Sequence, residues 1–222
     1  SKDGKVEAEV KLPAAVVNEA TDKGETMVMP MPEVPVTTDE DSAPIVTVDL
    51  PSGRLPAVLT PVEDVTYGTV VILVHEDGTK EIAKSSVTTE AGVIVTLSDG
   101  DTVKIVDNAK DFVDVPDTYW GSSFVDFATS RGLFSGTSAT TFSPNATVTR
   151  GQTVTFLWRA NASPVVNYAM DFTDVAADAY YAEAVRWAVS EGVTAGTGDK
   201  AFSPDADCTR AQIVTFMYRD AR

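Results

Sequence analysis

Residues 112–159 align with residues 172–219 when the numbering is advanced by 60, with no gap and with 20 of the 48 positions identical. A fixed period of this size constrains the chain more than any local propensity, because each copy must fold the same way and bury its apolar face against a neighbour. Phe112-Val113-Asp114-Val115 falls on Phe172-Thr173-Asp174-Val175, and Gly136-Thr137 falls on Gly196-Thr197. Phe142-Ser143-Pro144 falls on Phe202-Ser203-Pro204, and Thr149-Arg150 on Thr209-Arg210.

Each copy reads as two helices. In the first, Trp120, Phe124, Phe127, Ala128 and Arg131 recur near helical spacing, mostly as an apolar stripe, and Gly132 ends it as a C-terminal cap. Its counterpart runs from Tyr180 through Ala184, Trp187 and Ala188 to Gly192. The second helix opens at Thr149 or Thr209. Thr-x-x-Gln (Thr149 with Gln152, Thr209 with Gln212) is a capping box, in which each side chain satisfies the other residue's unpaired backbone N–H. Val154, Leu157 and Trp158 should then form its buried stripe, matched by Val214, Met217 and Tyr218.

Composition changes near residue 110. The first 111 residues hold 21 Asp and Glu against eight Lys and one Arg, the last 111 hold 12 against one Lys and seven Arg, so the basic residue switches type. The first part reads as β. Val6–Val10 and Ile45–Leu50 alternate, Val70–His75 and Lys80–Lys84 flank a Glu-Asp-Gly-Thr turn, and Val93–Leu97 and Thr102–Val106 flank Asp99-Gly100-Asp101. Residues 30–44, with four prolines, read as an exposed loop or linker. The expected fold class is a multidomain α+β chain: an all-β, sandwich-like module over 1–108, then an all-α helical bundle made of copies at 112–162 and 172–222.

Two arginines draw attention to chemistry. Arg150 and Arg210 stand at the first helical position, where the helix dipole disfavours a cation by about 0.3–1 kcal/mol. One reason to place them there is an anion held jointly by the guanidinium and the free N–H groups of the first turn. The other is packing, with each arginine reaching Asp114, Asp174 or another repeat.

Phe-x-Asp-Val, Gly-x-x-x-Gly-Thr, Phe-Ser-Pro and Thr-Arg-x-Gln, in that order and twice over, resemble the S-layer homology (SLH) family, whose helix start is usually Thr-Arg-Ala-Glu. The resemblance implies a helical domain of pseudo-threefold arrangement with grooves between repeats. It implies that an exported surface protein is anchored non-covalently to secondary cell-wall polysaccharide, often through a pyruvate ketal on an amino sugar. Carried onto this sequence, Arg150 and Arg210 would hold the ketal carboxylate, and Asp114 and Asp174 would bind sugar hydroxyls or orient the arginines. Trp120 and Tyr180 would pack on a sugar face or belong to the core, and Gly132 and Gly192 would permit close backbone approach. Gln152 and Gln212 replace the usual Glu, and Gly151 replaces Ala. Family domains commonly have three repeats; the third here is expected in cis outside this sequence, or its place is taken by the β module, or another chain supplies it in trans. The competing reading is a structural or self-assembling surface-layer module whose repeats no longer bind glycan.

The net charge of −16 argues against nucleic acid and against anionic membrane surfaces. The longest continuous apolar run, Val70–Val74, is too short to span a bilayer, and Ser1-Lys2-Asp3-Gly4 does not read as a leader, so the signal peptide of an exported form is expected to have been removed or to lie outside this sequence. One cysteine, Cys208, and one histidine, His75, compose no zinc set, and no Gly-rich phosphate loop opens a helix. Neither catalysis, nor a metal, nor a cofactor is expected. Asp199, Asp205 and Asp207 lack the EF-hand spacing and read as a solvated loop.

Overall fold

The computed structural model describes residues 65–90, 92–98 and 100–222, with strand segments at 10–11, 37–38, 44–47 and 54–59. The chain divides into two compact units, Ser1–Arg131 and Gly132–Arg222.

The first unit holds strands β1 (Val10–Lys11), β2 (Thr37–Thr38), β3 (Pro44–Thr47), β4 (Arg54–Leu59), β5 (Thr69–Val74), β6 (Lys80–Ile82), β7 (Val87–Thr89), β8 (Gly92–Ser98) and β9 (Thr102–Asp107). They form two antiparallel sheets, ordered β1-β4-β8-β7 and β2-β3-β9-β5-β6. Alternation along β8 buries Val93, Val95 and Leu97 and leaves Ile94 and Thr96 exposed. Those three residues join Leu59, Val71 and Val103 in one buried cluster drawn from both sheets. The Glu76–Thr79 turn makes the expected hairpin: Val74 stands opposite Lys80, and Gly78 supplies the required φ of 81°. β8 and β9 do not pair with one another across the second expected turn. Both edges of β9 are taken by β3 and β5, so the turn carries the chain from one sheet to the other. The expected strand at 6–10 lies outside the described residues except for Val10, as does 48–50 of the strand expected at 45–50. Within the expected loop at 30–44, Thr37–Thr38 and Pro44 are strand residues and the remainder lies outside the described residues.

Helix α1 (Ser122–Ser130) belongs to this same unit. Its last residue is followed by Arg131, which is wholly buried and is held by main-chain oxygens of the strand region. Nε donates to Ser86 O at 2.7 Å, Nη2 to Thr69 O at 3.0 Å and Nη1 to Tyr67 O at 3.2 Å, while the guanidinium carbon sits 4.0 Å from the Phe127 ring centroid. Asn108 Nδ2 donates to Ser130 O at 2.6 Å. Burial lowers the Arg131 pKa to about 10.

These contacts correct the expected fold class. An all-β sandwich-like module followed by an all-α bundle does not describe the chain. The described residues form a mixed fold of four helices and small antiparallel sheets, with α1 packed among the strands because a buried guanidinium needs acceptors and the strand region supplies them. The expected stripe on α1 is also displaced: Val125 and Thr129 are buried, whereas Trp120 and Phe124 stand in solvent.

The second unit contains α2 (Arg150–Ala160), α3 (Ala182–Ser190) and α4 (Arg210–Asp220). Both capping boxes form as the sequence predicts, with Gln152 N donating to Thr149 Oγ1 and Thr149 N to Gln152 Oε1, and likewise for Thr209 and Gln212. Gly132 and Gly192 follow α1 and α3 with φ of 66° and 73°. The core gathers Val154 and Leu157 from α2, Ala184, Val185, Trp187 and Ala188 from α3, and Val193, Phe202 and Phe216. Cys208 is partly buried against it.

Candidate functional site

The start of α2 is stitched to the second copy of the repeat. Cys208 N donates to Val148 O at 2.9 Å, Arg150 N to Ala206 O at 2.9 Å and Gly151 N to Pro204 O at 2.8 Å. Gln152 N bonds the Thr149 side chain and Thr153 N bonds Thr149 O, so every N–H of the first turn has an acceptor inside the protein. Gly151 fits this contact by having no side chain: a Cβ there would lie 3.0 Å from the Tyr181 ring and 3.2 Å from Pro204 O.

Arg150 is 3 % exposed. Its Nε donates to Phe202 O at 3.0 Å, Nη2 reaches Thr194 Oγ1 at 3.4 Å, and the guanidinium carbon lies 4.9 and 5.3 Å from the Phe202 and Phe216 ring centroids. Its pKa is lowered by burial. Of the two reasons for an arginine at this position, the structure places Arg150 in a contact with the other repeat. Arg210, its counterpart, is exposed, and among the described residues no acceptor meets its main-chain N–H or that of Ala211.

Among the described residues no arginine pairs with Asp174. Its carboxylate accepts from Phe202 N at 2.9 Å and Ser203 N at 2.7 Å and so holds the Phe-Ser-Pro loop in place. Burial pushes its pKa up, but the two N–H donors outweigh that and leave it below the ordinary value. Asp114, in the first unit, is half-buried. Gly132 and Gly192 take positive φ, and no heavy atom of the protein lies within 4 Å of where a Cβ would stand. Trp120 is 82 % and Tyr180 61 % exposed; neither belongs to a core. Trp120 lies 5.6 Å from the Tyr119 ring and Tyr180 lies edge-on to Tyr181 at 4.9 Å, so each copy presents an exposed aromatic beside a second one.

An open groove of about 350 Å³ runs along the second unit. Tyr180, Gln152 and Arg159 line it together with the Phe142-Ser143-Pro144 loop, Phe134 and Phe156. Phe134 and Phe156 stack at 4.8 Å, and Arg159 Nη1 contacts Leu133 O at 3.4 Å. Burial raises the Tyr180 pKa, opposed by a hydrogen bond with Thr149 and by the Arg159 charge. Arg159 and Gln152 are the site residues that motif reasoning missed as a pair. They sit seven residues apart on one helix, a spacing that places them on one face, and Arg159 is one of the identities shared by the two copies.

Residues 111–154 and 171–214 match the S-layer homology domain. The chain is also similar to three curated proteins, each 29% identical to it over the matched stretch. An endoglucanase of Bacillus sp. (strain KSM-635) matches over 127 residues, 57% of this chain and 13% of its own length. An amylopullulanase of Thermoanaerobacterium thermosulfurigenes matches over 110 residues, 50% and 6% respectively. An endo-1,4-beta-xylanase A of Thermoanaerobacterium saccharolyticum matches over 94 residues, 42% and 8%. The chain therefore spans a small fraction of each relative. The two copies of the 60-residue unit, built on capped helix pairs and Phe-Ser-Pro loops, are S-layer homology domains in tandem.

Proposed function

We propose that the tandem domains hold an exported protein at the bacterial cell surface by binding an anionic wall glycan, and that they are an anchoring part rather than a catalytic one. The observation that carries the reading is the groove that gathers Tyr180, Gln152 and Arg159. An exposed tyrosine ring offers a flat apolar platform for a sugar face, an amide offers both a donor and an acceptor, and a guanidinium offers a planar fork for a carboxylate. Trp120 is a second exposed platform, in the first unit. The relatives support an anchor. By name they act on different polysaccharides, yet they share with this chain only a small stretch, which points to a role common to all three rather than to substrate choice.

The test is sedimentation with purified cell walls, before and after mild acid strips the acidic ketals. The unaltered chain should pellet with native walls and stay in solution with stripped ones. Tyr180→Ala and Arg159→Ala should each weaken pelleting by about tenfold or more, as expected for loss of a stacking ring or a charge-assisted hydrogen bond. Equal pelleting by all three proteins on both preparations would refute the glycan groove.

A further inference from the structure

Each copy of the repeat exposes one aromatic ring and sets a second ring against it. Trp120 and Tyr180 occupy equivalent positions and stand in solvent. Tyr119 and Tyr181 are half-buried beside them, at 5.6 Å and 41° in the first copy and at 4.9 Å and 75° in the second. The supporting ring comes from different positions. It precedes the exposed ring in the first copy and follows it in the second, so that Tyr119 is matched by Ala179 and Tyr181 by Gly121. The pairing is therefore not a motif carried along with the repeat; two different local sequences arrive at the same kind of support.

Each supporting ring lies against a buried glycine. A Cβ at Gly151 would stand 3.0 Å from the Tyr181 ring, and a Cβ at Gly121 would stand 3.0 Å from the Tyr119 ring. The backbone requires neither glycine. Gly121 has a φ of −104°, open to any residue, and Gly151 lies within α2, where alanine is the better helix former. Ala211 is the counterpart of Gly151 and Tyr181 that of Gly121, so these glycines are not repeat positions either. Gly151 also passes close to Pro204 O, but at Gly121 all three nearest atoms belong to the Tyr119 side chain. Room for a ring is what the two glycines have in common.

We infer that Gly121 and Gly151 are positioning residues: by leaving room for Tyr119 and Tyr181 they fix the planes of Trp120 and Tyr180, the two rings offered to a sugar face. An unsupported ring turns about two side-chain bonds, and a ligand that stacks on it must first arrest that motion, at a cost in affinity. A braced ring is ordered before the ligand arrives. Tyr180 is held at its tip as well, by the hydrogen bond with Thr149, so the first turn of α2 fixes both its plane and its hydroxyl. The binding role rests on the glycan reading of these rings; the bracing does not.

The experiment compares Gly151→Ala, Tyr181→Leu, Gly121→Ala and Tyr119→Leu with the unaltered full chain by two measurements. Without glycan, NMR on chains with isotope-labelled tyrosine and tryptophan reads the ring resonances of Tyr180 and Trp120, which an adjacent ring displaces. With purified cell walls, pelleting is read over a concentration series. The first two variants should move the Tyr180 resonances and the last two those of Trp120, with helical circular dichroism retained. Each should weaken pelleting by about three- to tenfold, the loss expected when one side chain has to be ordered on binding. An exposed ring whose resonances ignore both its glycine variant and its supporting-ring variant is not braced, and that result overturns the inference. Resonances that move while all four variants pellet like the unaltered chain overturn the binding role and leave the anchor reading to stand on Tyr180→Ala and Arg159→Ala. An unaltered chain that never pellets overturns the anchor reading and this inference together.

Discussion

The Nε of Arg150 donates to the main-chain oxygen of Phe202 at 3.0 Å, and the guanidinium lies against the ring of that same residue, 4.9 Å from its centroid. One side chain of the first repeat thereby holds both the backbone and the side chain of the second. A buried charge that is well bonded in this way is costly to truncate, because its partners lose their donor and a void opens beside Phe216.

Arg150→Ala should therefore destabilise the protein by about 2–4 kcal/mol, and Arg150→Lys should recover only part of that, since an ammonium lacks the planar fork. Arg210→Ala, on exposed surface, should stay within about 0.5 kcal/mol. Urea unfolding of the three variants at low protein concentration separates these outcomes; equal losses at the two arginines would contradict the asymmetry.

Arg131 makes the corresponding prediction for the first unit. Arg131→Ala strips donors from the carbonyls of Ser86, Thr69 and Tyr67, at a cost of about 3 kcal/mol or more. Amide hydrogen exchange should quicken both in α1 and in the 67–69 and 86 segments. A fragment beginning at residue 112 lacks all three acceptors, and its α1 region should exchange faster than in the whole chain.

Gly196 stands at φ 87°, and a Cβ there would come within 2.7 Å of Ala201 O and 2.8 Å of the Phe172 ring. Gly196→Ala meets both backbone strain and a clash, and should cost about 2–4 kcal/mol. Gly192→Ala meets strain alone in open space and should cost about 1–2 kcal/mol. Thermal melting of the pair should rank them in that order.

Asp174 supplies a pH prediction. Its folded pKa lies below the ordinary 3.8, so the stability it contributes is fully present above that value and is lost as pH falls through the lower, folded one. Asp174→Asn should lower the melting temperature at neutral pH and flatten its fall as the pH drops below the ordinary carboxylate value. An unchanged acid limb in the variant would show that the Phe202 and Ser203 N–H groups do not depend on the charge.

What the sequence determines by itself is what neighbours in sequence decide together. Thr149 with Gln152, and Thr209 with Gln212, form their capping boxes because both partners lie within one helical turn, and Gly132 and Gly192 end their helices because a left-handed residue is needed there whatever surrounds it. The repeat, and with it the family, is legible for the same reason: it is a property of the string. Only the tertiary structure decides that Arg150 is buried and Arg210 bare, that Val154 is core and Val214 is not, and that Trp120 leaves its expected stripe for solvent. The local sequences at 149–155 and 209–215 are nearly the same, so nothing local can distinguish them. The difference is that the first has a second copy of the repeat folded onto it and the second has none within the described chain. Arg131, which has no counterpart in the other copy, is likewise assigned its place by carbonyls 45 and more residues away. Burial depends on what arrives from elsewhere in the chain, and a motif read along the sequence carries no record of it.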